Sequence, residues 1–283
     1  VFSVCGRKPG DHSLFYDGGN YNDPDYLYDY RYMCHYTYDG SRSIGYDPDF
    51  LNSISVLDSL PMITDVGTGD NMTYTVLVNY TTHSEMILKE PEYSPEYRTN
   101  NTQYDEANSS RFTLGDESLN VENYRGLSHY QVNAAAYIRL GLWFDYLREQ
   151  GVYDNTRIII VSDHGYDLGL KPDWSNDSVS AEVYNPVLMV KDFDAEGFTV
   201  SNEFMTNADT PFLAVTGLIE DPVNPFTGNP VDTSYKDDGE VTVFASHDFF
   251  IGDNNGTAFI PGPWYYVSDD MRDIDNWEYA GEW

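Results

Sequence analysis

Cations are scarce in this chain. Only 15 Lys and Arg stand against 47 Asp and Glu, which leaves a net charge of −32 across 283 residues. An acidic excess of that size excludes nucleic acid and an anionic membrane surface as partners, because both would be repelled. Cysteine is nearly absent as well, with Cys5 and Cys34 alone. Neither their spacing nor their neighbours make a zinc knuckle, so they form a disulfide outside the cytosol or remain two thiols. No apolar run approaches the ~20 residues that span a bilayer. No signal-like segment is present, and the chain opens on Val1 instead of Met. The expectation is a processed or excised ectodomain, extracellular or at the cell surface, with any membrane segment outside this chain. That setting favours the Cys5–Cys34 disulfide.

Aromatic residues, by contrast, are plentiful. Tyr alone contributes 25 and Trp 5, within an aromatic share of 16%, so material for a core is ample. Acidity combined with tyrosine suits a surface that meets sugars and cations. The length fits one large α/β domain or two small ones. Six Asn-X-Ser/Thr sequons begin at Asn71, Asn79, Asn100, Asn108, Asn176 and Asn255. In a chain so rich in Asn, Ser and Thr, several arise by chance.

Residues 1–50 form a Tyr/Asp-rich flank with no helical or strand period over most of its length, and residues 51–283 form the main domain. Leu51, Ile54, Leu57 and Leu60 recur every three residues and predict a short amphipathic helix stopped by Pro61. Tyr74–Tyr80 predicts a strand that ends in Thr81-Thr82-His83. Glu90 to Gly126 lacks a period and reads as an extended loop. Ser128 with Gln131 makes a capping box ahead of the stripe Val132, Ala136, Leu140, Trp143 and Leu147, with Gly151 as the stop. His129, in the first turn of that helix, is assigned to the surface.

The middle of the chain carries the chemistry. Ile158-Ile159-Ile160-Val161 is a short aliphatic run that predicts a strand buried on both faces, as in parallel sheets. Ligands of such sheets sit beyond the carboxyl ends of the strands. Asp163-His164-Gly165 follows at that end. A carboxylate and an imidazole released together make a half-site for a divalent metal, and the glycine leaves room for a tight turn or a close ligand. Later elements are a strand at 186–190, a helix opened by Asp209 and Pro211, and a strand at 241–245 ending in Ser246-His247-Asp248. His247 is assigned a structural role. Trp264–Val267 reads as an edge strand.

The run Asp154-Asn155-Thr156 through Ser162-Asp163-His164-Gly165, with Leu168-Gly169 after it, resembles a signature of the sulfatase/alkaline-phosphatase superfamily. It is most similar to the branch of lipoteichoic acid synthase and the phosphoethanolamine transferases. Classical sulfatases carry Asp-Asn where this chain has Asp163-His164. The resemblance implies an α/β fold with a mostly parallel central sheet and helices on both faces. It also implies that Asp163 and His164 are metal ligands. Asn79-Tyr80-Thr81-Thr82-His83 resembles the family segment whose histidine contacts the ester's phosphate or sulfate oxygens, which makes His83 a substrate-binding candidate.

The resemblance spans roughly Phe50 to the C-terminus and only the later part of the family's machinery. Residues 1–50 hold no apolar strand followed by Asp or Glu and no fitting Gly-Thr or Gly-Ser helix start, so the N-terminal part of the family fold is absent. Thr64 is the nearest candidate nucleophile, but it precedes no suitable helix. No catalytic residue is therefore assigned, and turnover by this chain alone is not expected. What the family implies is a metal-dependent hydrolase, or a phosphoglycerol- or phosphoethanolamine-type transferase. Its substrate would be a sulfate or phosphate ester on a glycan or lipid. The metal would be bound weakly, with manganese or zinc preferred over calcium because one ligand is an imidazole. The alternative is a non-catalytic cell-surface module that keeps a degenerate scaffold and binds glycan through its tyrosines.

Overall fold

The computed structural model describes residues 35–36, 42–44, 47–67, 69, 72–121, 123–231, 233, 239–245 and 262–282. Cys5, Cys34, most of the tyrosine-rich flank and His247 lie outside the described residues. The chain divides into two compact units, Val1–Tyr153 and Asp154–Trp283.

The first unit is built on two helices. Helix α1, Pro48–Ile63, starts where the Asp47 side chain accepts from Phe50 N at 2.7 Å. Pro61 lies inside its last turn and does not stop it. Thr64 closes it, its backbone N–H returning to the Leu60 carbonyl. After α2, Thr102–Ala107, comes α3, Tyr124–Glu149. Phe50, Leu51, Ile54, Leu57 and Leu60 of α1 pack with Val132, Ala135 and Ala136 of α3, and Met86 and Leu88 join them. Each of the larger side chains, from valine upward, contributes roughly 1.5–3 kcal/mol by leaving water, and each alanine less. The predicted stripe on α3 is borne out, because Leu140 and Trp143 also pack on this cluster. Gly151, at φ +69°, follows the helix end as expected.

The start of α3 is different. Asn123, not Ser128, caps it, accepting from Gly126 N at 2.8 Å. Ser128 and Gln131 are buried inside the helix. Gln131 spends its amide on tertiary bonds, accepting from Leu88 N and donating to the Glu90 carboxylate. The stretch read as one long loop holds a short strand, β3 (Arg98–Asn100), and a small hairpin, β4 (Thr113–Leu114) with β5 (Glu117–Ser118). Strand β3 pairs antiparallel with β2 (Arg42–Ile44), which in turn pairs with β1 (His35–Tyr36).

The second unit contains β6 (Ile158–Val161), β7 (Leu188–Lys191), helix α4 (Thr210–Val215) and the strands β8 (Glu240–Phe244), β9 (Pro263–Ser268) and β10 (Trp277–Glu282). The last three form an antiparallel sheet in the order β10-β9-β8, so β9, read as an edge strand, is central. Its core joins Val179, Ala181, Ala245, Tyr265, Val267 and Trp277.

The expected parallel central sheet with helices on both faces is not what forms. The described residues make small antiparallel sheets of two and three strands. Among the described residues strand β6 pairs only with β7, antiparallel, from Ile158↔Lys191 to Val161↔Leu188. Its residues are half-buried, and Val161 is 40% exposed, so it is not sandwiched between two layers. The connection explains the difference. A parallel return needs a crossover, most often a helix. Residues 162–187 hold only two single turns of 3₁₀ helix, Pro172–Trp174 and Ala181–Tyr184. The chain therefore folds back beside β6 in the opposite direction. Tyr74–Tyr80, read as a strand, has no strand partner among the described residues. No helix among the described residues is long and apolar enough to cross a membrane.

Candidate functional site

Asp163 and His164 lie just past the end of β6 in a loop held from several sides. Ser162 locks onto the start of β7: its N–H donates to the Val187 carbonyl at 3.1 Å, and its Oγ accepts from Val187 N at 2.9 Å. Asn207 Nδ2 donates to the carbonyls of Ser162 and Asp163 at 3.0 and 2.8 Å. Gly165 N donates to the Val183 carbonyl at 2.7 Å. The buried Glu182 carboxylate accepts backbone N–H groups from Leu168 (2.8 Å), Gly169 (2.9 Å) and Lys171. Tyr184, two residues on, packs its ring at a tilt against Trp277, centroids 5.3 Å apart, and ties this frame to the unit's core.

Within that frame the two side chains face solvent, Asp163 at 88% and His164 at 55% side-chain exposure. His164 Nδ1 lies 2.6 Å from the Gly165 carbonyl. A carbonyl can only accept, so Nδ1 carries the proton and Nε2 of the neutral ring is left as the electron-pair donor. A carbonyl partner on the other nitrogen is the usual support for a metal-binding histidine. Asp163 Oδ1 accepts from His164 N at 3.0 Å, which leaves Oδ2 at 3.7 Å from Nε2. Two ligands each about 2.0–2.2 Å from one ion span such a gap without strain. The donor set therefore fits a divalent transition metal as two of its ligands. Among the described residues no third His, Cys, Asp or Glu joins them.

His83 belongs to the first unit. It closes the turn after Tyr80, donating its backbone N–H to the Tyr80 carbonyl at 3.1 Å, with the two rings edge to face at 6.4 Å. Its side chain is exposed. His129, assigned to the surface from sequence, is instead buried. Its Nε2 lies 3.9 Å from Glu85 Oε1, and Glu85 is paired with Arg125 at 2.9 Å. Burial pushes the His129 pKa down, opposed by Glu85 and by a backbone hydrogen bond at Thr82, while Arg125 and His83 push it further down. His83 thus lies close enough to a second, buried histidine to push its pKa down, a proximity that spacing in the sequence could not reveal.

Thr64 is fully used as a cap. Its hydroxyl donates to the Leu60 carbonyl at 2.7 Å and accepts from Trp143 Nε1 at 2.9 Å. That arrangement leaves no base to activate it.

No protein-family model, curated protein or solved structure matches the chain.

Proposed function

We propose that this chain carries part of the metal site of a sulfatase-like hydrolase or phosphoglycerol-type transferase. Its substrates are sulfate or phosphate esters, and it works outside the cell. One observation carries the reading: the Nδ1–Gly165 hydrogen bond directs His164 Nε2 to the same side as Asp163 Oδ2, 3.7 Å away. A divalent ion bound there would polarise an ester oxygen and stabilise charge building on it. Asp163 supplies the hard oxygen ligand and His164 the imidazole, a mixture that favours manganese or zinc over calcium. Two ligands alone bind weakly, so the remaining positions fall to water or to groups outside the described residues. His83 is the candidate for contact with an anionic ester, through its exposed ring in the first unit.

The test uses a metal-dependent ligand in place of turnover. Manganese, being paramagnetic, should broaden the phosphorus resonance of a phosphonate ester analogue more with wild-type protein than with Asp163→Ala. Equal broadening with both proteins would refute the assignment.

The lack of a third ligand among the described residues favours one other reading, a non-catalytic surface module that binds glycan. In that case a soluble glycan would shift tyrosine fluorescence with or without manganese.

A further inference from the structure

Residues 72–80 read Met-Thr-Tyr-Thr-Val-Leu-Val-Asn-Tyr, with an apolar residue at every second position. Met72, Tyr74, Val76, Val78 and Tyr80 are 74, 77, 61, 71 and 62% exposed. Between them Leu77 packs on the core of the first unit, and Asn79 Nδ2 donates to the Ser53 carbonyl of α1 at 2.8 Å. Exposed 76, 78 and 80 alternate with half-buried 77 and 79, which is the period of a strand with one face seated. Yet the segment pairs with no strand, and no backbone N–H or C=O of Met72–Asn79 is hydrogen-bonded among the described residues. An apolar stripe with unpaired backbone beside it is the arrangement to which an extended chain adds as a new strand. A contiguous exposed apolar patch of this kind marks an interaction surface.

Charge selects the occupant. Residues 47–88 contain six carboxylates, on Asp47, Asp49, Asp58, Asp65, Asp70 and Glu85, and no Lys or Arg. Arg139 and Arg125, from α3, offset Asp58 and Glu85. Asp49, one helical turn from Ser53, and Asp65, just past the end of α1, are exposed. A second copy of this chain would bring another −32 to the same surface and be repelled. We propose that Met72–Tyr80 is a docking edge for an extended, cationic polypeptide segment of a partner protein. The partner's main chain would pair with residues 73–79, its alternate apolar side chains would cover the stripe, and its lysines or arginines would face the acidic surroundings. This surface is independent of the metal reading.

The probe is a short capped peptide alternating valine with lysine, and the control alternates valine with glutamate. Hydrogen exchange of the full chain should slow across residues 73–80 with the lysine peptide and not with the glutamate peptide, and the protection should fade with added salt. Val76→Pro removes an amide that has no hydrogen bond among the described residues and should weaken peptide binding by about tenfold or more. Val78→Lys, at an exposed position, should weaken it through charge and covers the case in which the proline variant does not fold. Three results would overturn the proposal: no protection of the segment, equal protection by both peptides, or unchanged binding by both variants. Protection that rises with protein concentration in the absence of peptide would do so as well, by showing that a second copy occupies the edge.

Discussion

Gly165 lies against Glu182 so closely that a Cβ at position 165 would overlap the Glu182 carbonyl oxygen and come within 3.1 Å of the Asn185 carbonyl oxygen. Backbone cannot yield as a flexible side chain does, so only glycine fits. Gly165→Ala should destabilise the fold by about 1–3 kcal/mol, the usual cost of forcing atoms into a packed site. Denaturant unfolding of wild type and variant provides the comparison. A change within a few tenths of a kcal/mol would show that the loop relaxes freely.

Glu182 works from the same segment through its side chain. Three backbone N–H groups converge on one buried carboxylate, and charge-assisted bonds of this kind are the strong ones. In Glu182→Gln the charge is lost and one amide edge presents a donor to the loop. The expected result is faster hydrogen exchange at Leu168, Gly169 and Lys171. Manganese affinity at Asp163–His164 should also fall by about 10–100-fold, as when an outer support of a metal site is removed. Exchange at wild-type rates would mean that other contacts hold the loop.

In the first unit Glu90, fully buried, pairs with Arg111 Nε at 2.9 Å, and Asp105 shares the guanidinium. Removing one partner strands a charge in a dry site. Arg111→Met is expected to cost about 3–5 kcal/mol. The double variant Arg111→Met/Glu90→Gln should recover part of that loss, because the uncompensated carboxylate is gone. Thermal or chemical denaturation of the two proteins decides between this coupling and simple loss of packing.

His129 gives the first unit a pH dependence of known sign. Its pKa is lowered in the folded state, chiefly by burial, so the unfolded chain binds its proton more readily. The stability this group contributes is complete above its unfolded pKa, about 6.5. It is lost as pH falls through the lower folded value. Wild type should lose stability relative to His129→Gln as pH falls from about 6.5 through the lower folded value, whatever their difference at neutral pH. Parallel profiles across that window would remove His129 as the cause.

What the sequence made legible follows the range of the interactions involved. Helices α1 and α3 were readable because Leu51, Ile54, Leu57, Val132 and Ala136 mark one face at helical spacing. The direction of β6 was not, since Ile158–Val161 looks the same whether its neighbour runs parallel or antiparallel. That choice lies in residues 162–187, which lack a crossover helix. Ser128 and Gln131 matched a capping pattern, yet Leu88 and Glu90, more than 40 residues away, claim the Gln131 amide. The turn at Asp163-His164-Gly165 was visible. Its supports, Glu182 and Asn207, were not, because each acts across a sequence gap that no local period encodes.

The central claim is that Asp163 and His164 hold a divalent metal, and the most direct measurement is calorimetric titration of manganese or zinc. The proteins to compare are wild type, His164→Ala, Asp163→Ala and His83→Ala. Weak binding by wild type is expected. It should be lost in His164→Ala and Asp163→Ala and kept in His83→Ala, whose ring is assigned to substrate. Binding by His164→Ala equal to that of wild type would contradict the claim and place the metal on the acidic surface at large.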